Sequence, residues 1–589
     1  MHSPLLHMVL AGIVFSITSL GAATMNTRFN DIADRYLEDQ LASSPVGATR
    51  MGDHRFDHLL DEVDAASRAR KTASAKALLA ELEALDFTAL SREHQVDYSL
   101  LHQRLRESVW QIETLREWEW NPLVYSGLPG NALYGLLARE SDDLPKRLAA
   151  AAARCREFPR FFSQARESLA KSRTPRIHAE TAIDQNKGIL NLIDALLAPR
   201  VDALEGAEQD DLREAISIAK AAVEQHQRWL ETELLPAAKG NARLPEELYR
   251  EKFKFDLYGG WTPEQLRERA EREMAELHER MYALSKRIQA EHDPDFVPAE
   301  NPGPDDKKKL IRACLERACE DVPPRDGVVA AARHSLEITT AFVRDRDLIT
   351  LPGEPLEIIL MPEFRRGVSV AYCDAPGPLE TGGQTFYAVS PIPDAWTDTQ
   401  VASFLREYNL RSLHNLTVHE AMPGHYVQLL RSHHGASRLR SVLGAGTFIE
   451  GWAVYSECMM MDEGFLPDDL LMRLVVLKWN LRGVTNALLD QYVHLDGIAE
   501  EDAMRLMMDD AFQEEREAAG KFKRAQLTSV QLSTYFAGYM EVADLRKTVE
   551  KAWGGNFDLK TFHDKITSFG SPPTRHVQAL VLDEPIPGP

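Results

Sequence analysis

Residues 419 to 426 read HEAMPGHY, which places two imidazoles around a carboxylate and a Pro-Gly pair. Neutral imidazole is the commonest protein ligand for zinc, and the usual zinc-hydrolase signature, H-E-x-x-H, brings two of them to one ion from a single helix face. Here the second histidine follows the first by six positions rather than four. On an unbroken helix, His419 and His425 would stand roughly 120° apart in azimuth and about 9 Å apart along the axis, too far to share a metal. Pro423-Gly424 lies between them. Proline removes a backbone donor and glycine tolerates conformations closed to other residues, so the pair can break the helix and turn the second ring back toward the first.

A catalytic zinc keeps three protein ligands and one open position. The stretch TFIEGWAVYSE, residues 447 to 457, offers Glu450 as the third, 25 residues after His425, which leaves room for a helix end, a loop and the start of a second helix. Glu457 stands two turns further along the same face, where it could support the ligands through hydrogen bonds. Glu420, beside the first histidine and not itself a ligand, is the type of group that takes a proton from a metal-activated water. Each of these residues alone has a plainer reading, a satisfied structural histidine or a helix-surface charge. It is the combination that points to a metal.

The elements that must hold these residues are mostly helical. From 26 to 350 apolar positions recur at i, i+3, i+4 and i+7, as in 147 to 172 and 212 to 239, and Thr262-Pro263 supplies a cap and first-turn proline for the helix that follows. After the loop at 301 to 306, three short β-branched or aromatic runs, 356 to 362, 368 to 373 and 385 to 391, predict a small sheet. Helical periodicity returns near Thr399, and one helix is expected to run from there to His419 and Glu420. The expected fold is mainly α, one continuous catalytic unit with a helical N-terminal region (26–350) and a zinc-site region (351–589).

With 68 basic against 90 acidic side chains, the net charge of −22 excludes a nucleic-acid partner. Five scattered cysteines build neither a disulfide framework nor a thiolate metal site. An apolar run from Met8 to Ala23 has the length of a signal-peptide core and is short for a membrane span, so residues 1–23 are expected to direct export to the periplasm or medium, leaving no stable span in the mature chain. Translation from Met25 would instead give a cytoplasmic protein. No cysteine follows the run, which argues against a lipid anchor.

HEAMPGH followed by EGWAVYSE resembles the bacterial domain-of-unknown-function family 885, with its pattern HEx-x-PGH…Q…EGWxxYxE. Members of that family look like zinc metallopeptidases related to the gluzincins. Dipeptidyl peptidase III is similar in having residues inserted between its histidines, and thimet-oligopeptidase-like enzymes, helical with a deep channel, are similar in the spacing to the glutamate. The resemblance implies His419, His425 and Glu450 as zinc ligands, Glu420 as general base, and a role for Gln428. It also maps NLRGVTNALLDQYVH, with Asp490 and His494, QLSTYFAG, with Gln531, Tyr535 and Gly538, and the closing segment with His563 onto family motifs. Phe536 stands where the family usually has lysine. For the oxyanion formed at an attacked carbonyl, Tyr535 is the first candidate donor, with His494 and Arg482 behind it.

The expected function is therefore zinc-dependent hydrolysis of peptide bonds in small peptides. Two alternatives use the same residues differently: a zinc amidohydrolase acting on a modified or non-peptide amide, and a helical envelope binding protein with a structural or vacant metal site.

Overall fold

The computed structural model describes residues 4–361, 370–380, 382–394 and 396–589. Side chains of the expected export segment, 1–23, lie outside what it describes. Among the described residues no helix is long and apolar enough to cross a membrane.

The chain is mainly helical with one small sheet. In the N-terminal region α1 (Leu144–Ser168) buries Leu148, Cys155, Phe158, Phe161 and Phe162, and α2 (Gly206–Trp229) buries Leu212, Ala215, Ala219 and Val223. These three-and-four spacings put one stripe of each helix into a common core. A second and larger core includes α3 (Pro263–His292), whose first turn is closed by a capping box: Gln265 N donates to Thr262 Oγ1 at 3.2 Å and Thr262 N to Gln265 Oε1 at 3.0 Å. Leu266, Leu277 and Met281 of α3 share that core with Val343, the sheet and Trp452. That core takes in Trp110 and Leu115 and then the chain from Leu244 onward, so the helices between 244 and 350 pack with the region that carries the site.

The sheet contains β1 (Leu356–Leu360), β2 (Ala371–Asp374) and β3 (Thr385–Val389) in the order β1-β3-β2. β1 runs parallel to β3 with Ile358 opposite Tyr387, and β2 antiparallel with Cys373 opposite Tyr387. The three runs were legible in the sequence; positions 362, 368 and 369 of the expected strands lie outside the described residues. One expectation is corrected. The helix leading to His419 is two helices, α4 (Asp398–Glu407) and α5 (Leu410–Glu420), because Asn409 caps the second through Oδ1, accepting from Ser412 N at 3.1 Å.

Helices α6 (His425–Gly435), α7 (Gly446–Asp462) and α8 (Leu470–Gln491) pack on α5, and beyond α9 (Glu515–Leu527), α10 (Ser533–Trp553) packs on α7 and α8. Helices α7 and α10 meet backbone to backbone. A Cβ on Gly538 would fall 1.9 Å from the Thr447 carbonyl oxygen, and one on Gly451 would fall 2.4 Å from Gly538, so only glycine fits either position.

Candidate metal centre

Helix α5 ends one residue after His419 and the chain folds back at once. Ala421 N and Met422 N both donate to Thr417 O, at 2.9 and 3.0 Å, and Gly424 N reaches Val418 O at 2.9 Å. A Cβ on Gly424 would lie 1.9 Å from the His419 carbonyl oxygen, so the tight return requires glycine there. Trp452 Nε1 donates to Pro423 O at 2.9 Å and ties the turn to α7. Because α6 starts at His425, its ring comes back beside His419, with centroids 4.8 Å apart and planes at 87°. The helix break read from Pro-Gly is what removes the azimuthal mismatch.

Glu450, in the second turn of α7, completes the group. Its Oε2 lies 3.6 Å from His419 Nε2 and 3.6 Å from His425 Nε2, and one ligand atom from each of the three residues lies within 4.8 Å of the others. These separations exceed a hydrogen bond. The two 3.6 Å distances approach the edges of a tetrahedron of zinc ligands, roughly 3.3–3.5 Å for bonds of about 2.0–2.1 Å. Solvent reaches the cluster: the side chains of His419 and His425 are 12% exposed and that of Glu450 is 21% exposed. Glu450 Oε2 and His425 Nδ1 are buried with no hydrogen-bond partner.

Behind the cluster, Glu457 Oε1 accepts from His419 Nδ1 at 2.7 Å, which fixes the tautomer and leaves Nε2 free to bind an ion. Asn415, one turn before His419, donates to Glu457 Oε2 at 2.5 Å. Burial would lower the basicity of the His419 ring, but Glu450, Glu457 and Glu420 outweigh it and hold the ring well above its ordinary value. Glu450, against its own burial, is drawn below the usual carboxylate range by the two histidines. The electrostatics of the pocket therefore favour a bound positive charge. Glu420, 8% exposed, is oriented by the backbone of β2: Cys373 N donates to its Oε2 at 3.0 Å. That strand end is anchored to the N-terminal helices by Arg139, which donates to Asp374 O at 2.7 Å and pairs with its carboxylate at 3.2 Å.

The other residues singled out by sequence lie in separate networks. Tyr535 Oη accepts from Arg524 at 3.1 Å and Gln531 at 3.3 Å. Arg482 is held by Glu517, with Glu407 at 3.8 Å. The His494 ring is locked between Leu244 N and the carbonyls of Ala525 and Thr528, and it stacks on Tyr249 at 5.3 Å. Asp490 accepts from Tyr249 Oη, Val530 N and Ser533 Oγ, an anchor for three chain segments. Gln428 donates to Ser432 and Ser571, and His563 bridges Tyr455 and Leu348 O. Phe536 is buried in the main core. Sequence reasoning missed Asn415, which its position four residues before His419 could have flagged, and Cys373, whose contribution is a backbone N–H and leaves no mark on residue type.

Most of the chain has counterparts in fold. A structure titled "a putative lipoprotein of unknown function" from Shewanella oneidensis is 33% identical, with a TM-score of 0.78 over 94% of this chain and 99% of that one. A second, described as "the putative lipoprotein" from Colwellia psychrerythraea, is 18% identical with a TM-score of 0.77 over the same shares, a likeness of fold alone. No curated protein matches the chain. The profile of DUF885, described as "Bacterial protein of unknown function", matches residues 45–581, and the chain belongs to that family.

Proposed function

We propose that the protein is a zinc-dependent metallopeptidase of the cell envelope acting on small peptides, with His419, His425 and Glu450 as ligands and Glu420 as general base. The observation that carries this reading is the partnerless Glu450 Oε2, equidistant from two imidazole nitrogens at 3.6 Å, with a second carboxylate alongside that is not part of the triad. A purely structural zinc site usually fills all four positions with Cys or His and has no use for an extra carboxylate. Bound zinc supplies Lewis acidity and lowers the pKa of a water.

The chain's own groups divide the remaining work. Glu420, steadied by Cys373 N, accepts the proton of the attacking water and returns it to the leaving amine. Glu457 keeps His419 in the ligating tautomer. Tyr535 Oη accepts from Arg524 and Gln531, so its own O–H remains to donate to an oxyanion. Among the described residues the strand order leaves β2 at an edge, beside Glu420, where an extended peptide can pair with the backbone, and a thimet-oligopeptidase-like channel would give such a peptide its route. An envelope location is supported by the apolar run from Met8 to Ala23 and by the lipoprotein descriptions of the two related structures.

The test is Glu420→Gln assayed against a defined mixture of short peptides, with metal content measured in the same preparations. The reading expects the variant to keep its zinc and to lose at least 99% of the hydrolysis. Hydrolysis undiminished in the variant would remove Glu420 from the mechanism.

A further inference from the structure

In a chain of net charge −22, one interior region carries an excess of positive charge. Lys478, Arg482, Lys521 and Arg524, from α8 and α9, meet two carboxylates. Glu407 accepts from Lys478 at 2.8 Å and lies 3.8 Å from Arg482. Glu517 is held tightly by Arg482 and accepts from Tyr408 Oη at 3.3 Å, which leaves Lys521 at a looser 3.5 Å. Arg524 donates only to neutral oxygens, Gln531 Oε1 at 2.7 Å and Tyr535 Oη at 3.1 Å. Two cations are thus left without a carboxylate of their own, and one of them, Lys521, has a side chain only 7% exposed.

A buried ammonium short of a counter-charge is costly. Burial, with Arg482 and Arg524 close by, lowers Lys521 to about 7. An arriving anion would supply the missing counter-charge. The region also lies near the candidate metal centre: Gly538, one turn on from Tyr535, rests against Gly451, the residue after Glu450. One Cα–Cα step, the helix contact and one turn add to on the order of 10 Å between the backbones of Glu450 and Tyr535.

We propose that Lys521 and Arg524 form a carboxylate-binding subsite that anchors short peptides close to the metal centre, through either the C-terminal carboxylate or an acidic side chain. The proposal rests on the peptidase reading for its substrate class. A fixed anchor this near the scissile bond would select short peptides cleaved near one end. Gln531 and Tyr535 hold the Arg524 fork in place.

The test is calorimetric titration of zinc-loaded Glu420→Gln protein with trialanine, trialanine amide and Ala-Ala-Glu amide. Either or both carboxylate peptides are expected to bind at least tenfold more tightly than trialanine amide; trialanine alone identifies the C-terminus, Ala-Ala-Glu amide alone the side chain. Lys521→Met and Arg524→Gln, each added to that background, are expected to erase the difference, and Arg524→Lys to restore part of it. The subsite is overturned if trialanine amide binds as well as the acids, if the difference survives in both variants, or if no peptide binds at millimolar concentration. Turnover by the wild type separates this from the wider reading. A clear binding difference with no cleavage defeats the peptidase and leaves the subsite. Cleavage of trialanine amide equal to that of both trialanine and Ala-Ala-Glu amide does the reverse.

Discussion

Glu450 Oε2 stands 3.6 Å from Nε2 of His419 and 3.6 Å from Nε2 of His425, and no hydrogen bond reaches it. Three ligand atoms at these distances would bind an ion in the folded chain and not in the unfolded one. A ligand at a thousand times its Kd then stabilises the fold by about 4 kcal/mol. Zinc added to chelator-treated protein is expected to raise the thermal midpoint by several degrees, with one ion bound per chain. Glu450→Gln and His425→Ala should show neither effect. A shift of equal size in both variants would place the ion elsewhere.

The support behind His419 makes a separable claim. Glu457 fixes the ring through Nδ1 and is itself held by Asn415. Glu457→Gln retains the shape but removes the charge that strengthens the imidazole as a ligand. Outer partners of this kind are worth about 10- to 100-fold in metal affinity. Competition with a chelator of known affinity should show a loss in that range, with helicity unchanged; an affinity equal to wild type would reduce Glu457 to a packing role.

Backbone geometry at the break can be tested without touching a ligand. Gly424→Ala drives a methyl to within 1.9 Å of the His419 carbonyl oxygen, whereas Gly446 has nothing within 4 Å of the same added atom. Overpacking against backbone costs about 1–3 kcal/mol or more, and any relief must move His419 or His425. The expected result is loss of zinc binding together with lower stability for Gly424→Ala, and a change within about 1 kcal/mol with full zinc binding for Gly446→Ala. Zinc binding retained in Gly424→Ala would show that the ring positions do not depend on the tight return.

How far the sequence reached depended on the kind of force involved. The mainly helical fold, the three short strands and the Thr262 cap follow from periodicity and local chemistry, which single residues report. The convergence of His419 and His425 was legible because Pro423-Gly424 marks the break that permits it. The Asn409 cap was missed because the apolar pattern continues across it. The common core of residues 244–349 with the C-terminal half is a matter of tertiary packing, which periodicity does not encode. Tyr535, His494 and Arg482 show a further limit. Their types suit an oxyanion, yet His494 and Arg482 are tied into partners from distant segments, such as Leu244 and Glu517.

The N-terminal core contains a group whose titration should contribute to acid stability. His226 sits between Phe162, at 4.4 Å, and Trp229, at 5.6 Å, and its Nδ1 has no partner. Burial, helped by nearby Arg166, lowers its pKa to about 3, against about 6.5 in the unfolded chain. Between those values the unfolded state binds more protons, so stability rises with pH there. The contribution of the neutral ring is complete above about pH 6.5 and is lost as pH falls toward 3. The slope from one such proton is roughly 1.4 kcal/mol per pH unit. Replacing His226 with Phe keeps an aromatic ring in the stack and removes the proton. Urea unfolding at a series of pH values from 7 to 4 should show a flatter decline for His226→Phe than for wild type, with the curves diverging below about pH 6.5. Parallel curves would mean that His226 is protonated in the folded protein as readily as in the unfolded one, and that the aromatic stack accommodates an imidazolium.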